Sequence, residues 1–187
     1  MAATQTRLWT REEYDRLVAL GMFHPEERLE LVEGEIIRMT PQGSRHATAV
    51  RLVEEALRQA FGQGFDVRVQ LPLAIDPDSE PEPDLAVVPG SPRDYKDAHP
   101  RTAVLVVEVA DATLAFDRER RARLYARAGI QDYWVLNLVE RQLEVHRTPT
   151  TSGQSPRYQD IRTITASQSI APLGCPDVSI AVADLLP

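Results

Sequence analysis

Ala103-Val104-Leu105-Val106-Val107-Glu108-Val109 is an apolar run interrupted by one acid. It is rich in Val and shows no polar alternation, the pattern of a central strand covered on both faces. It is far too short to span a bilayer. An ionised carboxylate buried there without a partner costs several kcal/mol or more. The chain must pair Glu108, protonate it or give it a metal.

Working outward, residues 117–128 read as a helix ended by Gly129, and residues 132–137 and 143–146 as strands around a turn at 139–141. A strand over 158–165 and a short helix over 181–185 follow a loop at 148–157. Upstream, residues 84–88 form a short strand, preceded by the loop 76–83. Asp76, Asp78, Glu80, Glu82 and Asp84 are interleaved there with prolines, which reads as a stiff, solvated segment up to Glu82. Residues 65–75 read as a strand with Pro72 marking an edge or bulge. Ser44 opens a helix running to Phe61, with Val50, Val53, Ala56, Leu57, Ala60 and Phe61 as its apolar stripe. Segments 27–32 and 35–39 flank Glu33-Gly34 and predict a hairpin. Thr10 and Glu13 have capping-box spacing at the head of a helix over 11–20. No linker or repeat interrupts this order, so residues 1–187 read as one α/β domain.

The formal net charge is −7, and 43% of residues are hydrophobic, as expected for a folded chain. Acidity argues against binding nucleic acid through net charge alone, yet clustered arginines or a recruited metal can still hold phosphate. Twenty of the 21 cationic residues are Arg; Lys96 is the only lysine. The single Cys175 and the lack of an apolar leader or spanning segment predict a cytoplasmic protein with no membrane association. Neither CxxC nor clustered His suggests zinc, and no phosphate-binding glycine motif is present.

Asp84 stands at the mouth of its strand. Neighbouring strands often pair, which would bring Asp84 and Glu108 to one end of a sheet. Two close carboxylates repel, and a divalent cation relieves them; oxygen-only ligands favour Mg²⁺ or Mn²⁺. The simpler alternative is an ion pair between Glu108 and an arginine. On the wheel of 117–128, Leu124, Tyr125 and Ala128 form the apolar stripe, with Arg121 and Asp117 stepping back from it toward the sheet. Arg120, Arg123 and Arg127 form a separate stripe, either solvated or touching phosphate. By alternation Glu30 is an exposed strand residue, and His46 is a cap-region residue or a cleft-facing phosphate contact.

Several segments together resemble a known family. They are Leu29-Glu30-Leu31-Val32-Glu33-Gly34-Glu35-Ile36, Glu82-Pro83-Asp84-Leu85, Val106-Val107-Glu108-Val109-Ala110-Asp111, Asp117-Arg118-Glu119-Arg120-Arg121 and Tyr125-Ala126-Arg127-Ala128-Gly129-Ile130-Gln131-Asp132-Tyr133-Trp134. In this order they resemble the bacterial family described as "putative restriction endonuclease", formerly a domain of unknown function and similar to the PD-(D/E)XK nucleases. The resemblance implies a restriction-endonuclease-like fold of α/β (α+β) class, a mixed central sheet flanked by helices. It implies a metal-dependent endonuclease acting on nucleic acid, DNA in particular. Asp84 matches the motif aspartate, Glu108 the second acid and Glu30 an additional glutamate, so all three are expected metal ligands. The usual lysine position is Ala110. The family's lysine has migrated to the next helix, where this chain carries Arg121. Arginine cannot act as a base, so the departure leaves a rival reading: a weakened or inactive nuclease fold that binds nucleic acid or protein as a homo-oligomer. Apolar strands near the C-terminus would allow a homodimer.

Overall fold

The computed structural model describes residues 6–151 and 155–187. Six strands form the central sheet: β3 (Phe65–Val69), β4 (Leu85–Pro89), β5 (Leu105–Ala110), β6 (Asp132–Asn137), β7 (Gln142–Thr150) and β8 (Arg157–Thr165), adjacent in that order. Only the β5–β6 pair is parallel; the others are antiparallel. β5 is buried along its whole length. Its side chains alternate between two separate cores. Leu105, Val107 and Val109 pack with Val50, Val53 and Leu57 of helix α2 (Ser44–Phe61). Val106 and Ala110 pack with Ala122, Tyr125 and Ala126 of helix α4 (Ala122–Arg127). A strand covered by helices on both faces has no polar side, hence its unbroken apolar pattern. The same alternation turns Glu108 toward the α4 face.

The chain between β5 and β6 is helical from Leu114, three residues earlier than expected, because the short helix α3 (Leu114–Phe116) precedes the predicted start. Asp117–Arg121 is a π-helical turn, a form met mostly as single turns and often at functional sites. Strand β3 stops at Val69, six residues short of its expected end. Gln70 adopts φ +51°, which breaks the extended backbone, and Pro72 lies beyond the strand rather than in it. Strand β7 runs further than expected, to Thr150, because it pairs with β8 as far as Arg157. Residues 152–154 of the loop expected there lie outside the described residues.

Before the sheet lie helix α1 (Arg11–Ala19), capped by Thr10 and Glu13 as expected, and the hairpin β1 (Leu29–Val32) and β2 (Glu35–Arg38). Glu33 (φ +51°) and Gly34 (φ +77°) make the two-residue turn with both central residues left-handed, which sets the register Glu30↔Ile37. A β-carbon on Gly34 would come within 2.6 Å of Leu8 Cβ, so only glycine fits. The hairpin is tied to the loop before β4: Glu80 N–H donates to the Leu31 carbonyl (2.7 Å) and Leu31 N–H to that of Glu80 (3.4 Å). Strands β9 (Ser169–Ile170) and β10 (Ile180–Ala181) pair near the C-terminus, and a 3-10 turn, Val182–Leu185, stands where the last helix was expected. Among the described residues no helix is long and apolar enough to cross a membrane.

Candidate active site

Leu85 pairs with Val107, so antiparallel register sets Asp84, just before β4, against Glu108. The two acids lock each other's main chains. Asp84 N–H donates to Glu108 Oε2 (3.2 Å) and Val109 N–H donates to Asp84 Oδ2 (2.9 Å). Gln70 Nε2 donates to Asp84 Oδ1 (3.2 Å), and His46 Nε2 lies 3.1 Å from Asp84 Oδ2. Burial works to raise the Asp84 pKa, but His46, the Val109 amide and Gln70 outweigh it and hold the carboxyl below its ordinary value. Reciprocally, Asp84 overcomes the burial of His46 and raises the imidazole pKa.

Glu30 was expected to be exposed; it is 1% exposed. Docking of the hairpin against residues 80–82 folds it inward, and Glu82 N–H donates to its Oε2 (3.0 Å). Its principal partner is Arg121, whose Nη2 donates to both Glu30 oxygens (2.8 and 3.0 Å). Arg121 Nη1 donates to Glu108 Oε1 (2.8 Å), and its Nε lies 3.4 Å from Asp117 Oδ1. Tyr125 OH donates to the same Glu108 oxygen (2.8 Å). One guanidinium therefore ties β1, β5 and the π-turn together. Burial raises Glu108 well above the usual carboxylate range even with Arg121 alongside. Asp117 is raised by burial to about 6, against the pull of Arg121.

These groups open on a cleft of about 310 Å³. Its lining includes Glu30, Asp84, Glu108, Asp117 and Arg121 with His46, Arg28 and Arg38. The structure thus brings together Asp84, Glu108, Glu30, Arg121 and His46. It keeps apart Arg120, Arg123 and Arg127, which do not line the cleft. Arg120 and Arg123 pair with Glu33 (3.3 and 2.7 Å), and Arg127 pairs with Asp76 and Asp78 (2.8 and 3.0 Å). The helical stripe is real, and in this structure it faces the acids of the hairpin and loop rather than the cleft. His46 is the opposite case. It stands four residues before Val50 on the buried stripe of α2, a phase visible in the sequence, and that phase turns it inward to Asp84.

The donor chemistry suits a hard divalent ion only in part. Among the described residues no group of three or more acidic, His or Cys side chains stands ready as a metal cage. Both Glu30 oxygens accept from Arg121, which leaves Asp84 and Glu108 as the expected ligands with the fewest arginine contacts. Asp84 and Glu108 each accept three protein donors. A carboxylate offers about four lone-pair sites, so each keeps one free. Two carboxylates completed by water and substrate phosphate are the usual Mg²⁺ arrangement. The residues fit the ion in that form.

A mixed sheet with helices on both faces, in which Asp84 at the mouth of β4 meets Glu108 within β5, defines the restriction-endonuclease-like class. A family model described as Uma2, "Putative restriction endonuclease", matches residues 11–183, and the chain belongs to that family. Among solved structures it resembles the crystal structure of a "putative nuclease belonging to DUF820" from Anabaena variabilis, with TM-score 0.68 and 18% identity, over 94% of this chain and 96% of that one. No curated protein matches the sequence.

Proposed function

We propose that the chain is a Mg²⁺- or Mn²⁺-dependent endonuclease that hydrolyses phosphodiester bonds in DNA. The observation that carries this reading is the juxtaposition of Asp84 and Glu108, each holding the other's strand, on the floor of an open cleft. These two carboxylates would hold the ion. When bound, it would supply Lewis-acid polarisation of the scissile phosphate and activation of a water nucleophile.

The chain's own residues set the stage for that chemistry. His46, Gln70 and the Val109 amide keep Asp84 ionised and fixed in direction. Arg121 cannot accept a proton from water, so it is not the base. It is a positioning residue that holds Glu108 against Glu30 and keeps positive charge beneath the substrate phosphate. Tyr125 and the Asp84 amide fix the Glu108 carboxylate from the other sides.

A second reading draws on one observation: Arg121 spends its donors on Glu30, Glu108 and Asp117 and is 6% exposed. A guanidinium so fully engaged fits a fold that binds nucleic acid without cutting it. Plasmid cleavage with Mg²⁺ and with Mn²⁺ separates the two, using wild type, Asp84→Ala and Glu108→Ala. Cleavage by wild type alone supports the nuclease. Equal activity in all three proteins would sink the assignment, and retention of DNA without cleavage selects the second reading.

A further inference from the structure

The floor of the cleft is strongly acidic, with Glu82 and Asp111 joining the acids already described. A polyanionic backbone reaches such a floor only if cations stand on its lip. Among the described residues three arginines line the cleft: Arg28, Arg38 and Arg121. Arg121 is buried and engaged with carboxylates. Arg28 and Arg38 are exposed. The Arg28 side chain is 41% exposed and makes one loose ion pair, its Nη2 3.6 Å from Glu82 Oε2 on the cleft lining. Arg38 makes no ion pair among the described residues.

Both lie at the open end of the β1–β2 hairpin. Arg38 stands opposite Leu29, and the Arg28 carbonyl accepts from Met39 N–H (2.9 Å). The hairpin is anchored beside this point, bonded to the loop before β4 through Leu31 and Glu80 and to the buried site through Glu30. The chain's other prominent cationic stripe is spent on Glu33, Asp76 and Asp78.

We propose that Arg28 and Arg38 bind the phosphate backbone of duplex DNA on the hairpin lip of the cleft, positioning the strand over Asp84 and Glu108. This rests on the nuclease reading for its substrate, but it is tested by binding rather than cleavage. Each backbone contact contributes about 0.9 to the slope of log affinity against log salt. Raising salt from about 50 to about 200 mM therefore weakens binding by about 3.5-fold per contact.

The experiment titrates a fluorescent DNA duplex with the full chain across this salt range, in chelator. It compares wild type with Arg28→Ala, Arg38→Ala, Arg38→Lys and the control Arg123→Ala. Arg28→Ala and Arg38→Ala are each expected to flatten the slope by about 0.9 and to bind more weakly at low salt. Arg38→Lys should keep the slope, and Arg123→Ala should match wild type. Wild-type slopes in Arg28→Ala and Arg38→Ala overturn the inference, as does an equal loss in Arg123→Ala or a wild type that binds no duplex. Cleavage by wild type alongside unchanged binding in both variants refutes the lip and leaves the nuclease standing. Flattened slopes with no cleavage by any protein support the lip and refute the nuclease.

Discussion

Arg121→Met removes the charge at the centre of the site while keeping much of the side-chain volume. It leaves Glu30, Glu108 and Asp117, all 3% exposed or less, without a counter-charge. Breaking a buried ion pair from one side costs roughly 3–5 kcal/mol. Unfolding entropy is about 2.1 cal/mol/K per residue, or about 390 cal/mol/K for 187 residues, so the melting temperature should fall by about 8–13 °C. The loss should depend on pH. Burial already raises Glu108 and Asp117 in the folded chain, and losing Arg121 raises both further. An acid whose folded pKa is raised favours folding while protonated, and that contribution is lost as pH rises from the unfolded pKa through the folded one. The deficit should therefore be largest at about pH 8 and shrink toward about pH 5. Thermal unfolding followed by circular dichroism at both values measures it. A deficit below about 2 °C at the higher pH, or one that is equal at both, refutes the view that Arg121 neutralises this cluster.

Three further outcomes follow from the same geometry. Arg121→Lys gives up the forked grip on Glu30 and Glu108 but places there a group whose pKa can fall on burial, so that it can act as a base; DNA cleavage per enzyme should rise, and an unchanged or lower rate would show that the two-nitrogen grip outweighs a base at this position. His46→Ala removes a group that holds Asp84 ionised, so cleavage should decline most on the acid side of the pH profile, whereas a uniform decline across pH would show only a packing role. Glu80 is pushed up to about 7 by burial and by the nearby Asp15 charge, so wild type should lose stability as pH rises from about 4.5 to about 7; Glu80→Gln should flatten that limb, and parallel melting curves for the two proteins would contradict it.

Much of the frame was legible because local pattern and tertiary environment agree. β5 reads as a doubly covered strand, and it is one. Glu33-Gly34 carries the turn chemistry its hairpin uses, and Ser44–Phe61 ends where its stripe ends. Pairing of β4 with β5 brought Asp84 to Glu108, as expected of strands that follow one another in sequence. What escaped was set by contacts distant in sequence. Alternation alone exposes Glu30; only the docking of β1 against residues 80–82, some fifty positions later, buries it. The same hairpin lowers Glu33 onto Arg120 and Arg123, turning an apparently free cationic stripe into ion pairs. Strand β3 was overextended because a left-handed Gln70 has no signature in its residue type. Arg28 and Arg38 carried only a faint signal, as the cations flanking the two strands around Glu30.

Single-turnover cleavage of an end-labelled DNA duplex, by wild type, Asp84→Asn and Glu108→Gln shown to be equally folded, tests the assignment most directly. Either substitution takes away one of the two carboxyl groups that would hold the ion, without emptying its space in the cleft. Metal-dependent cleavage by wild type, with none above background in either variant, is the expected result. Undiminished cleavage in both variants would contradict a phosphodiesterase built on Asp84 and Glu108.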